Sequence, residues 1–219
     1  MNDYTLLVMT DGRDEVLHET LRVFRDLASP PARLVIHDDT GFPDHHEMLR
    51  YRYDAEVVGG LARRGFGGAV RAAWEYLRQV EPTEFVFHLE DDFLMNREVP
   101  IESMQRVLDD NPDVVQMALM RQPWNTAEIT AGSIVQVNPT AYRYHESPDG
   151  KWMTQRLFFT TNPSVYRSTL LDHEWPQGVQ SEGRFGLSLF EDPTVSCGFW
   201  GHGESWVTHV GDERVGTGY

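Results

Sequence analysis

The sequence predicts an α/β fold in a single domain, with a mostly parallel central sheet and helices on both faces. Between residues 4 and 120, short apolar runs alternate with amphipathic helical patterns, and the connections between them are short. That alternation is typical of parallel strands linked by helices that pack on the sheet. One apolar run also ends in three consecutive carboxylates, and ligands of open α/β sheets bind at the carboxyl ends of the strands.

The elements of this predicted sheet follow one another in the first half of the chain. Apolar runs rich in β-branched and aromatic residues indicate buried strands, whereas apolar residues three and four apart indicate helices that bury one face. The predicted strands are residues 4–9, 34–37, 56–58, 84–89 and 114–120. The predicted helices are residues 14–27, 69–80 and 101–108, and residues 44–52 are expected to form a short helix or a loop.

The pattern changes after Arg121, where aromatic residues, prolines and short strand-like pieces replace the regular alternation. Pro163 near a first turn predicts a helix in the residues that follow it. The predicted strands of this half are residues 134–137, 155–161 and 205–211, and the predicted helices are residues 162–171 and 182–189. Since there is no internal repeat and no low-complexity linker, the 219 residues are interpreted as one domain.

Composition limits the partners and the compartment. The formal net charge is −15, from 19 basic and 34 acidic residues. Because non-specific nucleic-acid binding relies on Lys and Arg, this charge argues against a nucleic-acid partner. It does not exclude a local basic patch. Cys197 is the only cysteine, which fits a reducing cytoplasm. No basic region precedes an apolar core at the N-terminus, and no run reaches the roughly 20 apolar residues that cross a bilayer, so neither signal peptide nor membrane span is expected.

Glu90, Asp91 and Asp92 are the most informative local pattern, because they end the apolar run of residues 84–89. Three adjacent carboxylates repel one another, and their burial is costly without a positive partner. A hard divalent cation supplies that charge and prefers oxygen ligands. The pattern therefore indicates a metal-dependent site at this strand end. Taken alone, an acidic turn that caps the next helix and faces water fits it equally well.

Several features in chain order carry a resemblance to a known family. Residues 4–27 form an opening strand and helix, and residues 35–40 (Val-Ile-His-Asp-Asp-Thr) match a strand end of the form "vvDDgS". Residues 65–69 are a Gly-rich turn into a helix, and residues 90–92 stand for an Asp-x-Asp site. In this order they resemble the GT-A glycosyltransferases, within them the inverting family 2. The resemblance covers residues 4–95 and departs where Arg63 and Arg64 replace an asparagine.

The resemblance implies a single GT-A domain with a Rossmann-like sheet. Residues 1–120 would bind a nucleotide-diphosphate sugar, and residues 121–219 would form the more irregular acceptor half and the C-terminal tail. Asp92 and His209 would ligate Mn²⁺ or Mg²⁺, which neutralises the leaving diphosphate. The residues expected to contact the donor are Thr10, Asp39, Arg64, Asp91 and, as part of a mobile lid, Arg214.

Structural alternatives stay open for three of these residues. His209 is also explained as a structural histidine beside Trp206, and Asp39 as a turn-forming residue before Thr40. Arg64 is equally explained as a solvated surface charge. The distinction depends on whether these side chains meet around the acidic strand end.

Inversion at the sugar carbon requires a base that removes the proton from the acceptor hydroxyl. By the resemblance this base is a carboxylate near the start of a helix in the second half, and Glu182, which follows Ser181, fits best. Asp192, with its neighbour Glu191, is the competing candidate. The aromatic residues that would line an acceptor site or pack in the core are Trp124, Tyr142, Tyr144, Trp152 and Trp200.

The predicted activity is metal-dependent, inverting transfer of a sugar from a nucleotide-diphosphate donor to an acceptor hydroxyl on a glycan, a protein or a modified base. A sugar nucleotidyltransferase is a weaker alternative, because residues 10–13 offer only one glycine and one arginine for the Gly-rich basic loop it needs. A nucleotide-sugar or glycan-binding module without turnover fits the same residues. Transfer or hydrolysis of a labelled sugar distinguishes it from an enzyme.

Overall fold

A computed structural model describes residues 3–211 of the chain. Its strands are β1 (Tyr4–Thr10), β2 (Arg33–Asp38), β3 (Glu56–Gly59), β4 (Phe85–Glu90), β5 (Phe93–Met95), β6 (Val114–Ala118), β7 (Arg143–Ser147), β8 (Gly150–Gln155), β9 (Ser164–Arg167), β10 (Ser196–Trp200) and β11 (Val207–His209). Its α-helices are α1 (Asp14–Leu27), α2 (Pro43–Tyr53), α3 (Gly65–Val80), α4 (Ile101–Asp110), α5 (Thr126–Ala131), α6 (Ile134–Val137) and α7 (Ser181–Leu189). Short 3₁₀ helices cover Pro139–Ala141 and Ser168–Asp172.

One large sheet has the strand order β3-β2-β1-β4-β9-β6-β10-β8-β7. All of its strands run in the same direction except β8 and β9, which are antiparallel to both of their neighbours. The prediction of a mostly parallel α/β sheet is confirmed. A second, small sheet pairs β5 with β11.

Helices cover both faces of the large sheet, as predicted. Side chains alternate along β1, so Leu6 and Val8 join the core under α1, α2 and α4, whereas Leu7 and Met9 join the core under α3 and α7. The second core centres on Trp74 of α3, which is buried. No helix among residues 3–211 is both long enough and apolar enough to span a bilayer.

The helix predicted for residues 162–171 is wrong. Ser164–Arg167 forms β9, which lies between β4 and β6 and hydrogen-bonds to both. Only the following Ser168–Asp172 turns helically, as a 3₁₀ helix. Pro163 had suggested the start of a helix. The buried Val-Tyr pair lies in the middle of the sheet, however, and the stabilisation from pairing with strands on both sides outweighs that local helix signal.

Two predicted strands of the second half are also wrong. Residues 134–137 form α6, whose start is capped by Ser133 accepting from the backbone N–H of Gln136 at 3.2 Å. In residues 155–161 the strand ends at once, because the Gln155 side chain accepts from the backbone N–H groups of residues 157 and 158 and turns the chain. The last predicted strand is confirmed as β11.

Candidate active site

The carboxyl ends of β1 and β4 meet at one edge of the sheet and hold the acidic turn. The strand register pairs Met9 with Glu90. The backbone N–H of Asp91 donates to the carbonyl of Met9 at 3.0 Å, and Thr20 of α1 donates to the carbonyl of Asp91 at 2.7 Å. These bonds fix the turn of Asp91 and Asp92 against the first strand and the first helix.

His209 reaches this turn because β5 pairs with β11. The antiparallel register places His209 opposite Phe93, the residue after Asp92. The Nε2 of His209 lies 3.2 Å from Oδ2 of Asp92, and the N–H of Val210 donates to the Asp92 carbonyl at 2.9 Å. The chain passes so close that a Cβ added at Gly211 would clash with Oδ2 of Asp92. The structure thus brings together the two residues expected to ligate a metal.

Arg13 bridges the two aspartates, a contact that the sequence analysis missed. Its Nη1 donates to Oδ2 of Asp92 at 2.6 Å, its Nη2 pairs with Oδ1 of Asp91, and its Nε lies 3.2 Å from Oδ1 of Asp11. Thr10 adds a fourth contact, because its hydroxyl donates to Oδ2 of Asp91 at 2.7 Å. The sequence does hold a signal for this contact, because Arg13 is a basic residue shortly after the predicted strand 4–9. That strand was expected to lie in the same sheet as the acidic strand 84–89.

Burial and neighbouring charges set the protonation of these carboxyl groups. Burial, followed by the charge of Asp92, raises the pKa of Glu90 to about 8. Burial raises the pKa of Asp91 to about 6, although Arg13 opposes it. Burial acts on Asp92 as well, but His209 and Arg13 outweigh it and leave the pKa of Asp92 below its usual value. Asp92 is therefore the carboxylate most firmly held in its ionised form.

The surroundings of Asp92 fit one side of a divalent metal site. Its Oδ1 is buried and has no hydrogen-bond partner within residues 3–211, and the imidazole of His209 supplies a nitrogen ligand close by. The same residues contain no group of three or more His, Cys, Asp or Glu side chains placed to hold a metal. Sites that use one or two protein ligands take the others from water and substrate phosphates. Asp92 and His209 fit such a site.

Glu182 lies at the start of α7, as the prediction of a base near a helix start requires. One of its oxygens accepts from the backbone N–H of Thr161 at 2.6 Å and from the Thr161 hydroxyl at 3.0 Å. Burial raises the pKa of Glu182. The first turns of α3 and α7 touch, since a Cβ added at Gly67 would lie 2.7 Å from the Ser181 hydroxyl. Glu182 also lies close enough to Glu90, at the end of β4, for its charge to raise the pKa of that carboxyl.

Two cavities meet at Glu90, Thr161 and Glu182, which line both of them. The larger has a volume of about 840 Å³ and lies between the first turn of α3 and residues 178–187. The smaller, of about 390 Å³, is lined by His209 and by several aromatic side chains. A carboxylate on the shared wall can take a proton from a hydroxyl bound in one cavity, next to a group bound in the other.

Asp39 and Arg64 shape the wall of the larger cavity. The carboxylate of Asp39 accepts from the backbone N–H groups of Arg64 and Gly65, each at 2.8 Å, and so defines where α3 begins. Burial raises the pKa of Asp39 against these two bonds. The side chain of Arg64 is exposed and lines the cavity. The local turn considered for Asp39 is held instead by Asp38, whose carboxylate accepts from the N–H and the hydroxyl of Thr40 at 3.0 and 2.7 Å.

Asp192 is not brought to this site. It is exposed in the turn after α7, where its Oδ1 accepts from the N–H and the hydroxyl of Thr194 at 2.8 and 2.7 Å. Neither Asp192 nor the exposed Glu191 lines either cavity. Arg214, expected in a mobile lid, lies outside the described residues.

Only one of the aromatic residues expected near an acceptor lies at the cavities. Trp124 is 39% exposed, lines the smaller cavity and packs on His209 with ring centroids 4.5 Å apart. Tyr144 is exposed on β7, and the other three, Tyr142, Trp152 and Trp200, are buried in the core. His209 stacks on Phe93 with ring centroids 4.7 Å apart, and the Trp124 ring packs on it at an angle of 51°. These contacts hold its imidazole beside Asp92.

Solved structures share this fold at low sequence identity. The mannosyltransferase PcManGT from Pyrobaculum calidifontis, in complex with GDP-Man and Mn²⁺, superposes with a TM-score of 0.64 and 15% identity over 96% of this chain. S. aureus TarS 1-349, in complex with UDP-GlcNAc, gives a TM-score of 0.62 and 15% identity over 99% of this chain. The chain spans only 57% and 60% of those two structures. It has a GT-A-like glycosyltransferase fold. No protein-family model matches the sequence, and no curated protein matches it either.

Proposed function

We propose that the chain is a metal-dependent, inverting glycosyltransferase that moves a sugar from a nucleotide-diphosphate donor to an acceptor hydroxyl. The observation that carries the proposal is the position of Glu182 on the wall between two cavities, above a strand end that places Asp92 beside His209. The fold supports it, as do the GDP-Man and Mn²⁺ bound to PcManGT and the UDP-GlcNAc bound to TarS.

The proposed reaction is a single displacement. The acceptor oxygen forms a bond to the anomeric carbon, the bond from that carbon to the diphosphate oxygen breaks, and Glu182 takes the proton of the acceptor hydroxyl. Attack from the side opposite the leaving group inverts the configuration. Asp92 and His209 would hold a divalent cation, which when bound neutralises charge on the leaving diphosphate.

The two cavities suggest a division of the chain between donor and acceptor. We assign the donor diphosphate to the junction of the two cavities, because the proposed metal must contact it and His209 lines the smaller cavity. The rest of the donor would extend into the larger cavity, of about 840 Å³, where Arg64 supplies a positive charge. The acceptor would enter the smaller cavity, where Trp124 offers an aromatic face to a sugar ring or a base. As the resemblance implies, residues 1–120 would mainly bind the donor and residues 121–219 the acceptor, with residues 178–187 of the second half also bordering the larger cavity. The buried thiol of Cys197 agrees with a reducing cytoplasm.

A thermal-shift screen tests the donor and metal parts of the proposal. Wild type and Asp92→Ala are measured with UDP, GDP and dTDP, each with and without Mn²⁺. A ligand at 100 times its dissociation constant adds about 2.7 kcal/mol to the free energy of unfolding, which is a measurable shift. We expect one nucleotide to stabilise the wild type only with Mn²⁺, and Asp92→Ala to lose that shift. The absence of any shift would leave the carboxylates as a buried ion-pair cluster with Arg13 and remove the support for a donor site.

Turnover separates an enzyme from a binding module. The nucleotide that gives a shift is supplied as a radiolabelled nucleotide sugar with Mn²⁺, and release or transfer of the sugar is measured. We expect slow hydrolysis without an acceptor, with water in the place of the acceptor hydroxyl. Binding of the nucleotide sugar with neither hydrolysis nor transfer to any offered glycan would favour the module without turnover.

A further inference from the structure

Arg13 lies where a positive charge is required between the two aspartates. Its guanidinium pairs with Asp91 and Asp92 at once, and it is only 26% exposed. The two aspartates are nearly buried, with exposed side-chain fractions of 2% and 6%. Buried carboxylates need a partner, and in this structure the partner is a guanidinium of the chain itself.

The backbone around Arg13 holds this side chain over the acidic turn. The carbonyl of Arg13 accepts from the N–H of Leu17 in the first turn of α1. The preceding Gly12 has φ +100°, a conformation that L side chains rarely adopt, and a Cβ there would lie 2.8 Å from the Cγ2 of Thr40. The tight turn between β1 and α1 therefore directs Arg13 across the strand edge rather than into solvent.

The contacts of Arg13 overlap with those of the proposed metal. Oδ2 of Asp92 accepts from Nη1 of Arg13 at 2.6 Å and lies 3.2 Å from Nε2 of His209. A divalent cation shared by Asp92 and His209 would sit beside the guanidinium in a poorly solvated site, where like charges repel strongly. Arg13 and the metal therefore compete for the same carboxylates.

We propose that Arg13 is the internal counter-ion of the acidic site and exchanges with the divalent cation when the donor binds. The proposal rests on the function proposed above, which supplies the metal and the diphosphate. With Arg13 in place, the site has low affinity for free metal. A donor diphosphate offers the guanidinium a new bidentate partner and the metal further oxygen ligands, so the two bind cooperatively.

Metal binding alone tests this exchange without any turnover. Free Mn²⁺ is titrated with wild type and Arg13→Gln and measured by the electron paramagnetic resonance of the hydrated ion, first without nucleotide and then with the nucleotide found in the thermal screen. We expect Arg13→Gln to bind Mn²⁺ about tenfold more tightly than the wild type without nucleotide, because a charge-assisted bond no longer competes. The gain in affinity on adding nucleotide should be smaller in Arg13→Gln than in the wild type.

Arg63→Gln is the matched control, since it removes the same charge nearby. Arg63 is exposed, and its Nη2 donates to the main-chain carbonyl of Asp11 at 2.9 Å rather than to Asp91 or Asp92. We expect its Mn²⁺ affinity to equal that of the wild type. An equal gain in Arg63→Gln, or no gain in Arg13→Gln, would overturn the exchange.

Arg13→Lys keeps the test decisive if Arg13→Gln fails to fold by circular dichroism. A single ammonium cannot bridge two carboxylates as a guanidinium does, so a smaller gain in Mn²⁺ affinity is expected, and an unchanged affinity would contradict the proposal. Failure of the proposed function gives a different result. If Arg13→Gln binds Mn²⁺ more tightly but no variant binds a nucleotide, Arg13 and the metal do compete for the aspartates. The same result would exclude a nucleotide-sugar donor and with it the proposed function.

Discussion

Glu182 has the features of a base that is both positioned and kept reactive. Thr161 fixes one of its oxygens through two hydrogen bonds, and the carboxylate borders both cavities. We expect Glu182→Gln to lower kcat by about 10²–10⁴-fold, because the amide cannot take a proton but still accepts from Thr161. Donor binding in a thermal-shift assay should persist. Asp192→Asn, at the competing candidate, should turn over normally, and wild-type turnover by Glu182→Gln would exclude the role.

Proton removal by Glu182 should depend on pH in a defined direction. Burial raises the pKa of Glu182 above the ordinary range of a glutamate. Because the base must be ionised, kcat should fall on acidification, and it should begin to fall at a higher pH than an exposed glutamate would cause. The pH profile of kcat, measured with donor at saturation, gives the pKa of the base in the substrate-bound enzyme.

Individual site residues differed in how far the sequence could place them. Asp92 and His209 were expected together, and the pairing of β5 with β11 brings them within 3.2 Å. The sequence analysis did not place Arg13, because its partner carboxylates are 78 and 79 positions away and the contact depends on β1 and β4 being neighbours in the sheet. Asp192 competed with the better-fitting Glu182 because both are carboxylates near a predicted helix, and the structure separates them by burial and by position at the cavities.

At the scale of elements, His45 connects α2 to the first strand–helix unit. Its Nδ1 lies 2.7 Å from Oδ2 of Asp38 at the end of β2, and its Nε2 lies 2.8 Å from Oδ1 of Asp14 in the first turn of α1. His46 also approaches Asp38, at 3.2 Å. Burial lowers the pKa of His45, but the bonds to the two aspartates outweigh it and the net pKa is raised. The protonated imidazole is thus stabilised by folding.

This linkage predicts a pH-dependent contribution to stability. A raised folded-state pKa means that the contribution is complete below the unfolded-state pKa of about 6.5 and disappears as the pH rises through the folded-state value. We expect His45→Gln to lower the free energy of urea unfolding by about 1–2 kcal/mol at pH 6, and by less at pH 9. His173→Gln, at an exposed histidine, should show no such trend. An equal loss at both values would exclude the linkage.

Helices and strands were predicted correctly where apolar residues recur with a regular spacing in the sequence. The prediction failed where the conformation of a segment depends on partners that are distant in sequence. The 14 residues of α1 show their apolar stripe in sequence, and its bounds match the predicted 14–27. β9 has only four residues, and its strand conformation comes from β4 and β6 on either side. Local signals from Pro163 could not contain that information.

At the scale of the whole molecule, β9 joins the two halves of the chain. It comes from the second half in sequence, yet it lies between β4 and β6 of the first half. The core on one face is shared in the same way, because Trp74 of α3 packs against Trp175 and Phe185 with ring centroids 5.1 and 5.2 Å apart. Neither the central sheet nor this core is complete within residues 1–120.

The whole chain should therefore unfold in one cooperative transition, although its two halves are proposed to bind different substrates. In urea, far-UV circular dichroism and tryptophan fluorescence should give coincident curves, since loss of β9 exposes the edges of β4 and β6 together. A fragment of residues 1–120 contains Trp74 as its only tryptophan. We expect the fluorescence of that fragment to show a solvent-exposed indole, because Trp175 and Phe185 are missing from around it. A folded fragment with a buried indole, or two separate transitions in the whole chain, would show that the first half forms a core of its own.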